Sequence, residues 1–144
     1  MKTSDELIVV EEQYHCSSQV LWNALTSKPE MDCWYFENLP DFRAEMGFST
    51  RFVVESEKRK FTHCWNVTEV SPLSNISYTW KYEEYPGDSL VSFQIIDRGK
   101  YSLLRLTVEV LEDFPEDIPE FNRESCIAGW NFFLAERLRE YLEG

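Results

Sequence analysis

The sequence predicts an α+β domain: a curved antiparallel β-sheet wrapped around a long C-terminal helix, with two short helices after strand one. Three observations carry this. Between Phe42 and Val110, apolar and polar residues alternate in runs separated by turn residues, the pattern of successive hairpins. The closing stretch, Arg123 to Gly144, changes to a helical rhythm. No other segment is long enough to cover the apolar face of such a sheet.

Taken in order, LIVVEEQY (Leu7 to Tyr14) reads as strand one. Ser17 is placed to N-cap a helix whose apolar face is Val20, Leu21, Ala24 and Leu25. Pro29 opens a second short helix, PEMDCWYF, and ENLPD is loop. FRAEMG reads as a short strand. FSTRFVVES is the next and ends at the charged turn EKRK. FTHCWNVTEV follows and stops at Pro72. NISYTWKYEE puts Ile76, Tyr78, Trp80 and Tyr82 on one face, and YPGD is a turn. LVSFQII groups Val91, Phe93 and Ile95, DRGK turns the chain, and YSLLRLTVEV groups Leu104, Leu106 and Val108. That makes about six or seven strands, an ordinary sheet size.

LEDFPEDIPEF is an acidic, proline-containing connection. The final helix starts either at Asn122 as N-cap or earlier, near Pro119. Cys126, Trp130, Phe133, Arg137 and Tyr141 share one flank, with Ile127, Leu134 and Leu138 beside them. This is a broad apolar stripe, not a coiled-coil seam. A helix of about twenty residues spans about 30 Å, enough to cross a domain.

A length of 144 residues fits one domain, residues 1–144, and 43% hydrophobic with 15% aromatic residues marks a folded chain. No apolar run approaches the ~20 residues of a membrane span. The N-terminus MKTSDELIVV is no signal peptide, so a cytoplasmic location is expected. The formal net charge of −12 repels phosphate backbones, which argues against nucleic acid and anionic membrane as partners. Cys16, Cys33, Cys64 and Cys126 are scattered, with no C-x-x-C, and disulfides are not expected. His63-Cys64 on a strand, and His15-Cys16 where strand one runs out, are neighbours expected to point to opposite faces, so neither pair can chelate one metal as a unit. Neither a metal site nor a cofactor is expected.

No G-x-S-x-G, H-E-x-x-H, P-loop or dinucleotide fingerprint occurs. Glu11-Glu12 and Glu83-Glu84 are adjacent pairs, which cannot face one hollow together, and Glu55 and Glu57 flank a strand end at the charged turn, so all six read as solvated strand decoration. Arg105 belongs to the solvent face; Arg51 flanks Phe52 and is as readily a surface residue. The stronger clue is aromatic. Trp34, Phe36, Phe52, Trp65, Trp80, Phe93, Trp130 and Phe133 are all placed to converge between sheet and helix. They either fill the core or, in part, line a hollow for a flat apolar ligand. His63 shares a strand face with Trp65 and Val67; it is either a polar tip in that hollow or an ordinary satisfied histidine.

SSQVLWNALTSKPEMDCWYF, VTEVSPLSNISYTW, VSFQI, LLRLTVEV and GWNFFLAERLREYL, in that order, resemble the START-like (SRPBCC, helix-grip) superfamily. Within it they are most similar to the branch named for the activator of the heat-shock chaperone ATPase. The resemblance implies the helix-grip fold. It does not choose a function, because the superfamily hosts lipid carriers, hormone receptors, cyclases and chaperone cofactors. Two departures stand out. Full activators carry a separate N-terminal domain, whereas here the START-like unit begins within a few residues of Met1. Phe61, His63 and Trp65 stand where relatives commonly have small residues.

The first expectation is therefore a module binding a small apolar or amphipathic molecule, with Trp34, Phe36, Phe52, His63, Trp65, Trp80, Phe93, Trp130 and Phe133 as cavity candidates. The second is a chaperone ATPase-activator-like interaction protein. The third is a cyclase- or hydrolase-type enzyme, which would rest on His63 alone.

Overall fold

A computed structural model describes residues 1–144. In chain order the elements are β1 (Ile8–Tyr14), α1 (Ser18–Thr26), α2 (Lys28–Trp34), β2 (Ser49–Glu55), β3 (Lys60–Ser71), β4 (Asn75–Tyr82), β5 (Asp88–Asp97) and β6 (Ser102–Glu112). A 3₁₀ turn at Pro119–Phe121 leads into α3, which runs from Arg123 to Glu143. The fold is the expected α+β helix-grip: a curved antiparallel sheet packed on a long C-terminal helix. The strand order is β1-β6-β5-β4-β3-β2, so β2 to β6 form a meander and β1 pairs with its far end. α1, α2 and the loop after them carry the chain from one edge of the sheet to the other. Register shifts at Val67/Glu69 and Asp88/Ser89 mark bulges, which bend strands and deepen the twist.

The caps form where the sequence places them. The Ser17 side chain accepts from Val20 N, and Asn122 Oδ1 accepts from Ser125 N at 2.8 Å. Both expected starts of the last helix are present in a sense, since Pro119 opens the 3₁₀ turn and Asn122 caps the helix.

FRAEMG is not a strand, and the sheet has six strands. Its alternation belongs to a turn: Gly47 has φ +86, where a side chain is strained, and Phe48 N donates to Glu45 O at 3.0 Å. Gly47 N and Phe48 O then bond Val67 across the β3 bulge, both at 2.8 Å.

α3 also departs from the expected winding. Phe132–Leu138 is π-helical, with more residues per turn than an α-helix. Residues four apart then align more closely, and the buried seam is Trp130, Leu134 and Leu138. Arg137 and Tyr141 lie off that seam: Arg137 Nη2 donates to Cys33 O at 3.1 Å, and exposed Tyr141 donates to Glu30 at 2.9 Å. The buried Tyr14 hydroxyl donates to the Leu134 carbonyl within the π segment at 2.7 Å, tying helix to sheet. Arg123 and Arg139 donate to the carbonyls of Glu6, Leu7 and Gln13, so the helix also covers acceptors along the free edge of β1. No helix is long and apolar enough to cross a membrane.

Candidate functional site

Alternation along the strands sends one row of side chains from each into the concave face. From β3 these are Phe61, His63, Trp65 and Val67; from β4, Ile76, Tyr78, Trp80 and Tyr82; from β5, Val91, Phe93 and Ile95; from β6, Leu104, Leu106 and Val108. α3 lies against them. The middle of this space is filled. Tyr35, just after α2, stacks on Trp34 with ring centroids 4.5 Å apart and on Trp65 at 5.5 Å. Its hydroxyl bonds that of Tyr78 at 2.9 Å. Phe42 closes on Trp65 and Tyr78. The Trp65 indole N–H is buried there without a partner.

The nine cavity candidates divide. Trp34, Phe52, Trp65 and Phe93 are buried and packed ring against ring, while half-buried Phe36 wedges among Phe52, Trp65, Trp80 and Phe133. His63 is 5% exposed. Phe52 stacks on its imidazole at 4.8 Å, Tyr82 meets it edge-on at 4.9 Å, and Phe36 and Trp80 close the box. Its Nδ1 lies 3.1 Å from the Phe61 carbonyl. Burial lowers its pKa to about 4, against smaller opposing effects of that carbonyl and Glu84, so the imidazole is neutral at pH 7.

Trp80, Trp130 and Phe133 border open space. A hollow of about 170 Å³ lies between the first turns of α3, the adjoining ends of β4, β5 and β6, and the connection that follows β6. Tyr82, Phe114 and Phe121 complete its aromatic walls, and Met1 lies at its rim. Sequence reading missed most of these. Tyr82 was legible, since alternation puts it on the face of Trp80. Phe114 and Phe121 sat in a segment read only as connection, although aromatics flanking two prolines were its signal. They form a second small cluster with Phe61, on which Tyr85, Val110 and Ile118 pack. Gly87, at φ +118, permits this: a Cβ there would collide with the Phe114 ring.

The polar groups of the hollow are few. Ser89 Oγ donates to Trp80 O at 2.8 Å, and Ser125 Oγ donates to Pro119 O at 3.0 Å. The Trp80 indole donates to Tyr82 Oη at 2.9 Å. Burial raises the Cys126 thiol to about 11, and it raises the Tyr82 phenol well above its ordinary value. Glu120 is held by Arg59 at 3.0 Å. No three His, Cys, Asp or Glu side chains are placed to hold a metal ion, and all four cysteines are free. Arg51 and Arg105 are surface residues paired to Glu83 at 2.7 Å and Glu11 at 2.6 Å.

A helix gripped by a six-stranded sheet, with a hollow beside its first turns, is the setting for comparison with known proteins. The family model described as "Activator of Hsp90 ATPase homolog 1-like protein" matches residues 15–143. The chain belongs to this family. No curated protein matches it. Among solved structures, protein MLL2253 from Mesorhizobium loti is 25% identical, with a TM-score of 0.73 over 96% of this chain and 97% of that one. DynU16, a protein in the dynemicin biosynthetic locus, is 20% identical with a TM-score of 0.75; 96% of this chain spans 48% of it, about half its length. The Aha1 dimer from Colwellia psychrerythraea is 18% identical, with a TM-score of 0.71 over 96% of this chain and 97% of that one. The likeness to the last two is one of fold.

Proposed function

We propose that this member of the Hsp90 ATPase activator-like family is a single START-like domain, residues 1–144, that binds a small apolar or amphipathic molecule in the cytoplasm, with no catalytic step of its own. The observation that carries this reading is the hollow itself. About 170 Å³ stays open beside Trp80, Trp130 and Phe133 while the rest of the concave face is packed shut. Drug-sized ligands occupy roughly 300–1,000 Å³. The hollow falls short of the ~300 Å³ expected of such a site, so the reading narrows to a smaller molecule. The enzyme reading loses its one residue: His63 does not line the hollow.

The test is native mass spectrometry of the protein after incubation with cell extract. A mass adduct of a small molecule in the wild type, absent when Gly129→Trp fills the rim, is the expected result. Bare protein in repeated trials counts against the reading.

Family membership favours a second reading, a chaperone ATPase-activator-like protein that works through its surface. It is tested by an ATPase assay with the chaperone. Stimulation that persists in Gly129→Trp would favour this reading; no stimulation at high molar excess would remove it.

A further inference from the structure

We propose that the hollow selects a neutral, planar molecule of one ring or a fused ring pair that carries a hydrogen-bond acceptor, with that acceptor held by the Tyr82 hydroxyl. The proposal rests on the hollow being the binding site and adds the class of its occupant.

Size comes first. A cavity of about 150 Å³ lined by apolar side chains takes up benzene. By the same measure the present 170 Å³ encloses about seven non-hydrogen atoms, one ring with a substituent, and a fused second ring would extend toward the open space at Gly129. Shape follows from the walls. Trp80 and Trp130 meet edge-on at 5.5 Å, and Phe121 stacks on Tyr82 at 4.9 Å. Flat aromatic surfaces of this kind pack best against another ring.

Charge is decided by what the lining lacks. It contains no lysine or arginine side chain. The one cation at the rim, the Met1 α-ammonium, donates to the Phe121 carbonyl at 3.1 Å. Burial already pushes Tyr82 and Cys126 toward their neutral forms, so the same surroundings disfavour an anionic ligand. Glu120 is paired with Arg59 and leaves no free carboxylate to attract a cation.

The anchor is found by counting donors. The hydroxyls of Ser89 and Ser125 donate to backbone carbonyls. The Trp130 indole lies beside the Cys126 sulfur, at most a weak acceptor, and no oxygen accepts from it, so it is a second, weaker-placed donor beside Tyr82. Tyr82 Oη accepts from the Trp80 indole, yet its own proton has no protein acceptor. A phenol in that state at the wall of an apolar hollow is a donor awaiting an acceptor.

The rim is consistent with this use. Gly129 lines the hollow within a helix, and a Cβ built on it meets nothing within 4 Å. A side chain there is excluded by no contact, and its absence keeps the approach clear.

The experiment is isothermal titration calorimetry of the full chain with 1-indanone, with indane, its counterpart lacking oxygen, and with 1-indanone-5-carboxylate. Wild type, Tyr82→Phe and Gly129→Trp are compared, each shown to fold by a cooperative denaturant melt. The expected result is at least tenfold tighter binding of 1-indanone than of indane by the wild type. In Tyr82→Phe the ratio of the two affinities collapses to within about twofold, whatever the change in indane binding itself, and Gly129→Trp binds neither. Equal wild-type binding of 1-indanone and indane would overturn the Tyr82 anchor while leaving the hollow as a binding site. Equal or tighter binding of the carboxylate would overturn the neutral class. Failure of a folded wild type to bind any of the three would overturn this inference. The reading of the hollow as a binding site stands or falls separately, on the extract adduct and its loss in Gly129→Trp.

Discussion

At the scale of single residues, Trp130 and Phe132 separate core from surface. Trp130 is 5% exposed, packs near Trp80 and Phe93, and has the hollow along one wall; Phe132 is 44% exposed. A fully enclosed tryptophan costs about 3–5 kcal/mol on truncation to alanine. Because one wall is already unpacked, Trp130→Ala should cost less, about 2–3 kcal/mol by the same comparison. Phe132→Ala should stay within about 0.5 kcal/mol, as for other exposed positions. Paired denaturant melts check both, and equal large losses would mean the buried face of α3 is assigned wrongly. His63 makes a pH prediction. Its folded pKa, about 4, lies below the unfolded value near 6.5, so below pH 6.5 the unfolded chain binds the extra proton. The contribution is fully present above pH 6.5 and is lost as pH falls toward 4, for about 3 kcal/mol in all. His63→Phe should flatten the stability–pH curve between pH 6.5 and 4.5 relative to wild type; parallel curves would show that the imidazole titrates normally. The sequence names Trp80, Trp130 and Phe133 with six others as cavity candidates, and spacing does not separate them from the rings that fill the core. Tyr35 is not among them: the sequence puts it inside the second helix, whereas that helix ends at Trp34 and turns Tyr35 into the core, where it decides that the middle is full.

At the scale of elements, hairpins were legible because one face of each strand is buried and the other is wet, which writes a period of two into the sequence. The same alternation in FRAEMG misled, since a short turn that backs onto a bulge also shows one side to the core. The π-wound half of α3 left no mark on the sequence. Its helical period looks ordinary, and the wider winding accompanies tertiary contacts, including Tyr14 bonded to the Leu134 carbonyl. Gly129 gives the element-scale prediction. An exposed helical glycine with free space around its Cβ position gains about 0.5–1 kcal/mol on change to alanine, chiefly by restricting the unfolded chain. Gly129→Ala should therefore raise the denaturant midpoint; a lower midpoint would mean that the backbone there needs glycine.

At the scale of the whole molecule, the fold class and the order of its layers followed from composition and pattern. The place of the hollow did not. It lies beside the first turns of α3 because Tyr35 and Phe42 fill the rest, and because Phe114 and Phe121 leave β6 to wall the open end. Such a choice among aromatic side chains is made by packing, not by period. The net charge of −12 is a property of the whole surface. At low salt the protein should bind neither DNA nor RNA; micromolar, salt-sensitive retention in a gel-shift titration would reveal a basic patch that outweighs it. The binding role of the hollow is tested most directly by a crystal structure of the protein grown after incubation with cell extract. The expected result is density for one small flat molecule between Trp130 and Phe121, with its polar end at Tyr82. An empty site in which Trp80, Trp130 and Phe121 have closed on one another would contradict it.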